Sequence, residues 1–118
     1  MAEESVKSRE ERAKNSTSPE ELEKLAEDKD KGVRSYVAEN VNTPVLMLEK
    51  LAGDDDDYVC RFVAGNVNTP PSALEKLAEA KNEDVRYGVA RHANTPPSAL
   101  EKLAESKEEV VRQKVAEN

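Results

Sequence analysis

Apolar residues in this chain fall into short clusters that recur in a fixed order. Leu-Glu-Lys-Leu-Ala occurs four times, beginning at Leu22, Leu48, Leu74 and Leu100, a step of 26 residues each time. A second cluster keeps the same register. Val33, Val59, Val85 and Val111 are each followed by a Val-Ala pair, at Val37-Ala38, Val63-Ala64, Val89-Ala90 and Val115-Ala116. In the first cluster Leu74, Leu77 and Ala78 lie at i, i+3, i+4; in the second Val33, Val37 and Val41 lie at i, i+4, i+8, with Tyr36 beside them. Both spacings put the apolar side chains on one face of a helix. Each period therefore predicts two short helices, and the repeats run 16–41, 42–67, 68–93 and 94–118.

Punctuation between the clusters supports this division. Thr43-Pro44, Thr69-Pro70, Thr95-Pro96 and Ser18-Pro19 each offer a capping hydroxyl and then a ring whose missing N–H costs nothing at a helix start. In the two Pro-Pro repeats, Ser72 with Glu75 and Ser98 with Glu101 offer capping boxes as an alternative start. Acidic links such as 27–31 lead to the second helix. Asn40, Asn66 and Asn118 fall where it ends, a place that suits Asn in a left-handed conformation, and His92 takes this position in the third repeat.

Helices of about ten residues are marginal alone in water, so the pairs must stack and bury a common ribbon of Leu, Val and Ala. The expected architecture is an all-α solenoid. The unvarying column Ala38, Ala64, Ala90, Ala116 marks close approach between neighbouring helices. Residues 1–15 are polar apart from scattered small or apolar residues such as Val6 and Ala13, as expected of a half-repeat that caps the first pair. No comparable cap follows the last repeat, so either Val111 and Val115 are partly exposed or the chain is a fragment or an oligomer.

Composition narrows the function. Leu, Val and Phe make up only about a fifth of the chain, and Ile and Trp are absent, which argues against an enzyme with a thick core and a deep cavity. The net charge of −7 speaks against binding nucleic acid or an anionic membrane. No apolar run is long enough for a membrane span and no secretory signal opens the chain, so a cytoplasmic protein is expected. A single cysteine, Cys60, forms no intramolecular disulfide and no all-thiolate metal site.

The motif resembles the leucine-rich repeat variant family, whose units read approximately Thr-Pro-x-x-x-Leu-x-x-Leu-Ala, an acidic linker, then Val-Arg-x-x-Val-Ala-x-Asn. Thr69-Pro70, Leu74, Leu77, Ala78, Val85-Arg86, Val89-Ala90 and Asn94 carry the resemblance, with matching residues around Val33-Arg34 and Val111-Arg112. It implies a right-handed superhelix in which α-helices alternate with 3₁₀-like helices. It implies no catalytic residues. Some members carry a cysteine-rich iron–sulfur segment before the repeats, whereas residues 1–15 contain no cysteine, so no cofactor is expected. Cys60 stands where the family pattern has Arg.

The remaining candidates for chemistry read as structural. Asp54–Asp57 lacks the ligand order of a calcium loop, so no metal site is expected there and Asp serves as a helix cap. Ser72, Ser98 and His92 have no orienting third group for catalysis. Arg34, Arg86 and Arg112 form a column expected to pair with Asp30, Asn82 and Glu108 or with acids of the next repeat. All four aromatic residues lie in second helices, where the Val and Ala positions stay fixed. Helical spacing puts Tyr58, Arg61 and Gly65 on one face and Asp84, Tyr87 and Arg91 on the matching face of the next repeat. Stacking is then expected to gather Arg61, Tyr87 and Arg91. The third repeat is also the only neutral one. Tyr58, Arg61, Tyr87 and Arg91 are accordingly the expected binding residues of a non-enzymatic module for an unidentified protein or peptide. A structural or designed repeat without ligand is the alternative suggested by the identical dodecamers Asn68–Glu79 and Asn94–Glu105. A nucleic-acid-binding repeat would need a basic stripe that the chain lacks.

Overall fold

The computed structural model describes residues 4–118, so residues 1–3 of the expected N-terminal cap lie outside the described part. Helix α1 spans Val6–Asn15 and is followed by α2 (Pro19–Leu25), α3 (Lys31–Glu39), α4 (Val45–Leu51), α5 (Asp57–Gly65), α6 (Pro71–Leu77), α7 (Glu83–Arg91), α8 (Pro97–Ala104) and α9 (Glu109–Glu117). The described residues contain no strand. Helices α2, α4, α6 and α8 begin at the same point of the 26-residue step, and so do α3, α5, α7 and α9. Successive second helices (α3, α5, α7, α9) pack side by side, whereas the first helices touch one another more sparsely. The result is an elongated all-α solenoid of 53 × 21 × 18 Å.

Its core is the ribbon read from the periodicity. Leu22, Leu48, Leu74, Val33, Val37, Val59, Val63, Val85 and Val89 are fully buried. Helix α1 packs on α3 and closes one end, burying Ala13. Leu22 is therefore as completely buried as Leu74 in the middle of the stack. At the other end Leu100 and Val115 are half-buried and Ala116 is exposed, while Val111 is fully buried, contrary to its expected exposure, because α9 still rests on α7 and α8. The Ala column does mark close approach. A side chain added at Gly88 on α7 would put its first carbon 3.0 Å from the Ala64 methyl on α5.

Several local expectations are corrected. Both helices of each pair are α-helical, and 3₁₀-type spacing occurs at helix ends, as where Glu27 N–H donates to the Lys24 carbonyl, Asp28 N–H to that of Leu25 and, at a helix start, Ala73 N–H to that of Pro70. Val41 is 61% exposed: α3 stops at Glu39, so the helical period ends before it reaches this residue. Ser18 caps α2 as expected, accepting the Glu21 N–H. Thr43, Thr69 and Thr95 do not cap the helices that follow. Their buried hydroxyls donate backward to the carbonyls of Val37, Val63 and Val89 at 2.5–2.6 Å, sealing the preceding second helix, and the prolines themselves hold the cap positions. The capping boxes are not formed either; Ser72 and Ser98 donate to Glu49 and Glu75 of the preceding repeat.

Candidate functional site

Two columns of polar side chains run along the solenoid, and both are structural. The first is the Asn column. Asn40 and Asn66 have extended backbones (φ −67° and −75°), and the described residues include no positive φ, so the left-handed cap expected from sequence is not used. The side chain acts instead. Asn66 Nδ2 donates to the carbonyls of Ala38 (2.8 Å) and Asn40 (3.1 Å) one repeat back, while its Oδ1 accepts the Asn68 N–H (2.9 Å). Asn40 does the same toward Ala13 and Ser16, and Asn118 toward Ala90 and His92. His92 reproduces this pattern with a ring. Its Nδ1 receives the Asn94 N–H (3.0 Å) and its Nε2 lies 2.7 Å from the Asn66 carbonyl. A carbonyl can only accept and a backbone N–H can only donate, which assigns the ring proton to Nε2. Both nitrogens are thus engaged, and His92 is buried in a structural position.

The second column is arginine. Arg9 binds Asp28 (2.7 Å), Arg34 binds Asp54 (2.8 Å) and Arg86 binds Glu108, each reaching an acid of the following turn, and Arg34, Arg86 and Arg112 also donate to nearby carbonyls. The expected ladder exists, but its acids are those of the next repeat. Asp30 and Asn82 serve as the caps of α3 and α7. Where Cys60 replaces Arg, Ala80 stands one step on where Asp54 pairs with Arg34, so this rung lacks both charges. The Cys60 thiol lies 3.2 Å from the Asp54 carbonyl. Burial, reinforced by the charges of Asp54 to Asp57, pushes the thiol up to about 11, which leaves it a poor nucleophile.

The aspartate run is likewise divided among structural tasks. Asp54 holds Arg34, Asp56 caps α5 by accepting the N–H groups of Tyr58 and Val59, and Asp57 accepts from Asn82 Nδ2 (3.3 Å). Their carboxylates point to different partners rather than converging.

The aromatic and basic residues of the second helices remain. Arg61 lies over the Tyr58 ring at 5.4 Å, and Arg91 over the Tyr87 ring at 5.9 Å. These are cation–π contacts within one helix each, set by the three- and four-residue spacing. Arg61 therefore stacks on Tyr58 rather than on Tyr87, and Arg91 stacks on Tyr87. Tyr58 is 58% exposed, and Arg61 and Arg91 are exposed. Tyr87 is half-buried against the core, with the Lys114 ammonium also 5.9 Å from its ring. Phe62, one turn after Tyr58, is a further exposed aromatic (37%) that the sequence reading left out of the site. Its position four residues from Tyr58 was the available signal.

Residues 32–56 match the family model of the leucine rich repeat variant. That segment runs from the start of α3 to the cap of α5, and its pattern recurs at the 26-residue step elsewhere in the chain. No curated protein and no solved structure matches the chain. No helix of the described residues is long and apolar enough to cross a membrane.

Proposed function

We propose that this chain, which carries a leucine rich repeat variant unit, is a non-enzymatic module that binds a protein or peptide along the surface of its second helices. One observation carries the reading. On helices whose fully buried positions are Val and Ala, the remaining positions hold two preorganised pairs, Arg61 on Tyr58 and Arg91 on Tyr87. Stacking on a ring restrains each guanidinium before a partner arrives, which lowers the entropy lost on binding. Arg and Tyr are also the side chains most often dominant in interfaces.

The test compares two triple variants against a partner isolated from the source organism. Tyr58→Ala, Arg61→Ala and Arg91→Ala together should weaken binding by at least about 2 kcal/mol, as for an interface hot spot. Tyr87 is left intact because it leans on the core. The control replaces Lys50, Lys76 and Lys102 by Ala on the first helices and should barely alter the affinity. Equal losses from both variants would mean diffuse electrostatic attraction and no localised surface.

A further inference from the structure

The outward columns of the second helices are not equally bulky. One reads Gly32, Tyr58, Asp84, Val110 and another Ser35, Arg61, Tyr87, Gln113. On α3 both columns are therefore nearly empty, and Ser35 is buried. The missing side chains leave a groove of about 510 Å³ between α1, α3 and α5. Three of the four aromatic side chains in the protein, Tyr36, Tyr58 and Phe62, line it, and Glu10, Asp30 and Glu39 stand around it. Gly32 lies directly under the Glu10 carboxylate, and a side chain there would meet both it and Asp30 Oδ2, the latter at 2.9 Å. Asp30 is fixed by accepting the Val33 N–H. Glu10 and Glu39, by contrast, have no hydrogen-bond donor or ion-pair partner among the described residues. The lysine at the mouth, Lys31, directs its ammonium toward Asp56 at 3.8 Å.

We propose that this groove receives the side chain of an arginine in a partner peptide. Aromatic faces with carboxylates at their edges are complementary to a planar cation that stacks and donates at the same time. Tyr58 belongs both to the groove and to the Arg61 pair, so a bound peptide would continue from the groove across α5. The choice of a peptide rests on the module reading above. The groove itself can be tested without any natural partner.

The probe is a blocked pentapeptide, Gly-Ala-Arg-Ala-Gly, titrated into the ¹⁵N-labelled 118-residue chain and followed by NMR. Saturable shifts should centre on the amides of Ser35, Tyr36, Tyr58 and Phe62. Citrulline keeps the shape of arginine without its charge, and its peptide should bind at least about tenfold more weakly. Glu10→Gln with Glu39→Gln should raise the Kd for the arginine peptide at least about fivefold, and Tyr58→Ala should do the same. The Gln double variant keeps side-chain volume and removes charge outside the core, so it carries the test should Tyr58→Ala disturb the helix. Equal binding of the citrulline peptide, shifts centred on other helices, or an unchanged Kd in the double variant would each overturn the assignment. A lysine peptide that binds as tightly would overturn the preference for a guanidinium. A silent titration, with partner binding still lost in the Tyr58, Arg61 and Arg91 triple variant, would remove the groove and leave the module reading standing.

Discussion

A single residue shows how little side-chain identity matters here beside hydrogen-bond geometry. His92 replaces Asn and fills the same position, because Nδ1 and Nε2 stand in for the amide oxygen and nitrogen toward the Asn94 N–H and the Asn66 carbonyl. His92→Asn should therefore leave stability within about 0.5 kcal/mol of wild type, the range of neutral substitutions. His92→Ala should cost about 1–3 kcal/mol, since the Asn66 carbonyl and the Asn94 N–H each lose a hydrogen bond and the buried ring leaves a gap. Chemical denaturation of the two variants decides it; equal midpoints would show that the column carries no stability. The column itself was legible in the sequence as a fixed position, but its mechanism was not. Asn is compatible with a left-handed cap and with a side-chain bridge, and choosing between them requires knowing which carbonyls of the previous repeat lie within reach.

At the scale of elements, periodicity located both helices of each pair, because their apolar spacing is dictated by burial on one face. Boundaries were less legible. Val41 continued the i+4 pattern of α3 and still lies outside it, since Asn40 turns the backbone to an extended conformation first. The threonines before the prolines look like caps for the helix that follows but hydrogen-bond backward, to a carbonyl six residues earlier at the end of the preceding helix. Between elements, the arginine pairs make a pH-dependent joint. Arg12 first and Ser8 next hold Glu4 down to about 2. Asp28 is also lowered: burial opposes this, but the Asp30 N–H and the Arg9 guanidinium outweigh it. Arg86 and Ser106 lower Glu108. Carboxylates depressed in the folded state stabilise it above their ordinary range, and the contribution disappears as the pH falls through the depressed values. The denaturation midpoint should thus be nearly flat from about pH 7 to 5 and fall progressively below about pH 4. Asp28→Asn should lower the midpoint at pH 7 and flatten the acid limb. A midpoint that rises on acidification would contradict these linkages.

Across the whole molecule, the binding surface was legible only as a contrast between fixed and varied columns. Sequence placed Tyr58, Arg61, Tyr87 and Arg91 on the second helices but did not pair Arg61 with Tyr58, a contact made within one helix at three-residue spacing. The groove was not legible, since its defining residues, Gly32 and Ser35, matter for what they lack. A stack in which each pair touches only its neighbours has stability that varies along its length. At the α1 end, Leu22 and Val37 are fully buried beneath a covering helix. At the α9 end their counterparts Leu100 and Val115 are half-buried, Ala116 is exposed and Arg112 meets carbonyls but no acid. Opening α8 and α9 therefore exposes less apolar surface than opening any interior pair, and less of the arginine ladder is lost. Amide hydrogen exchange on the 118-residue chain should be fastest in α8 and α9 and slowest in α3 and α5, with α2 closer to the interior than to α8. Adding denaturant should preserve that order until global unfolding overtakes it. Uniform protection along all the helices would show that the chain opens only as one unit, and that neighbour contacts do not set its local stability.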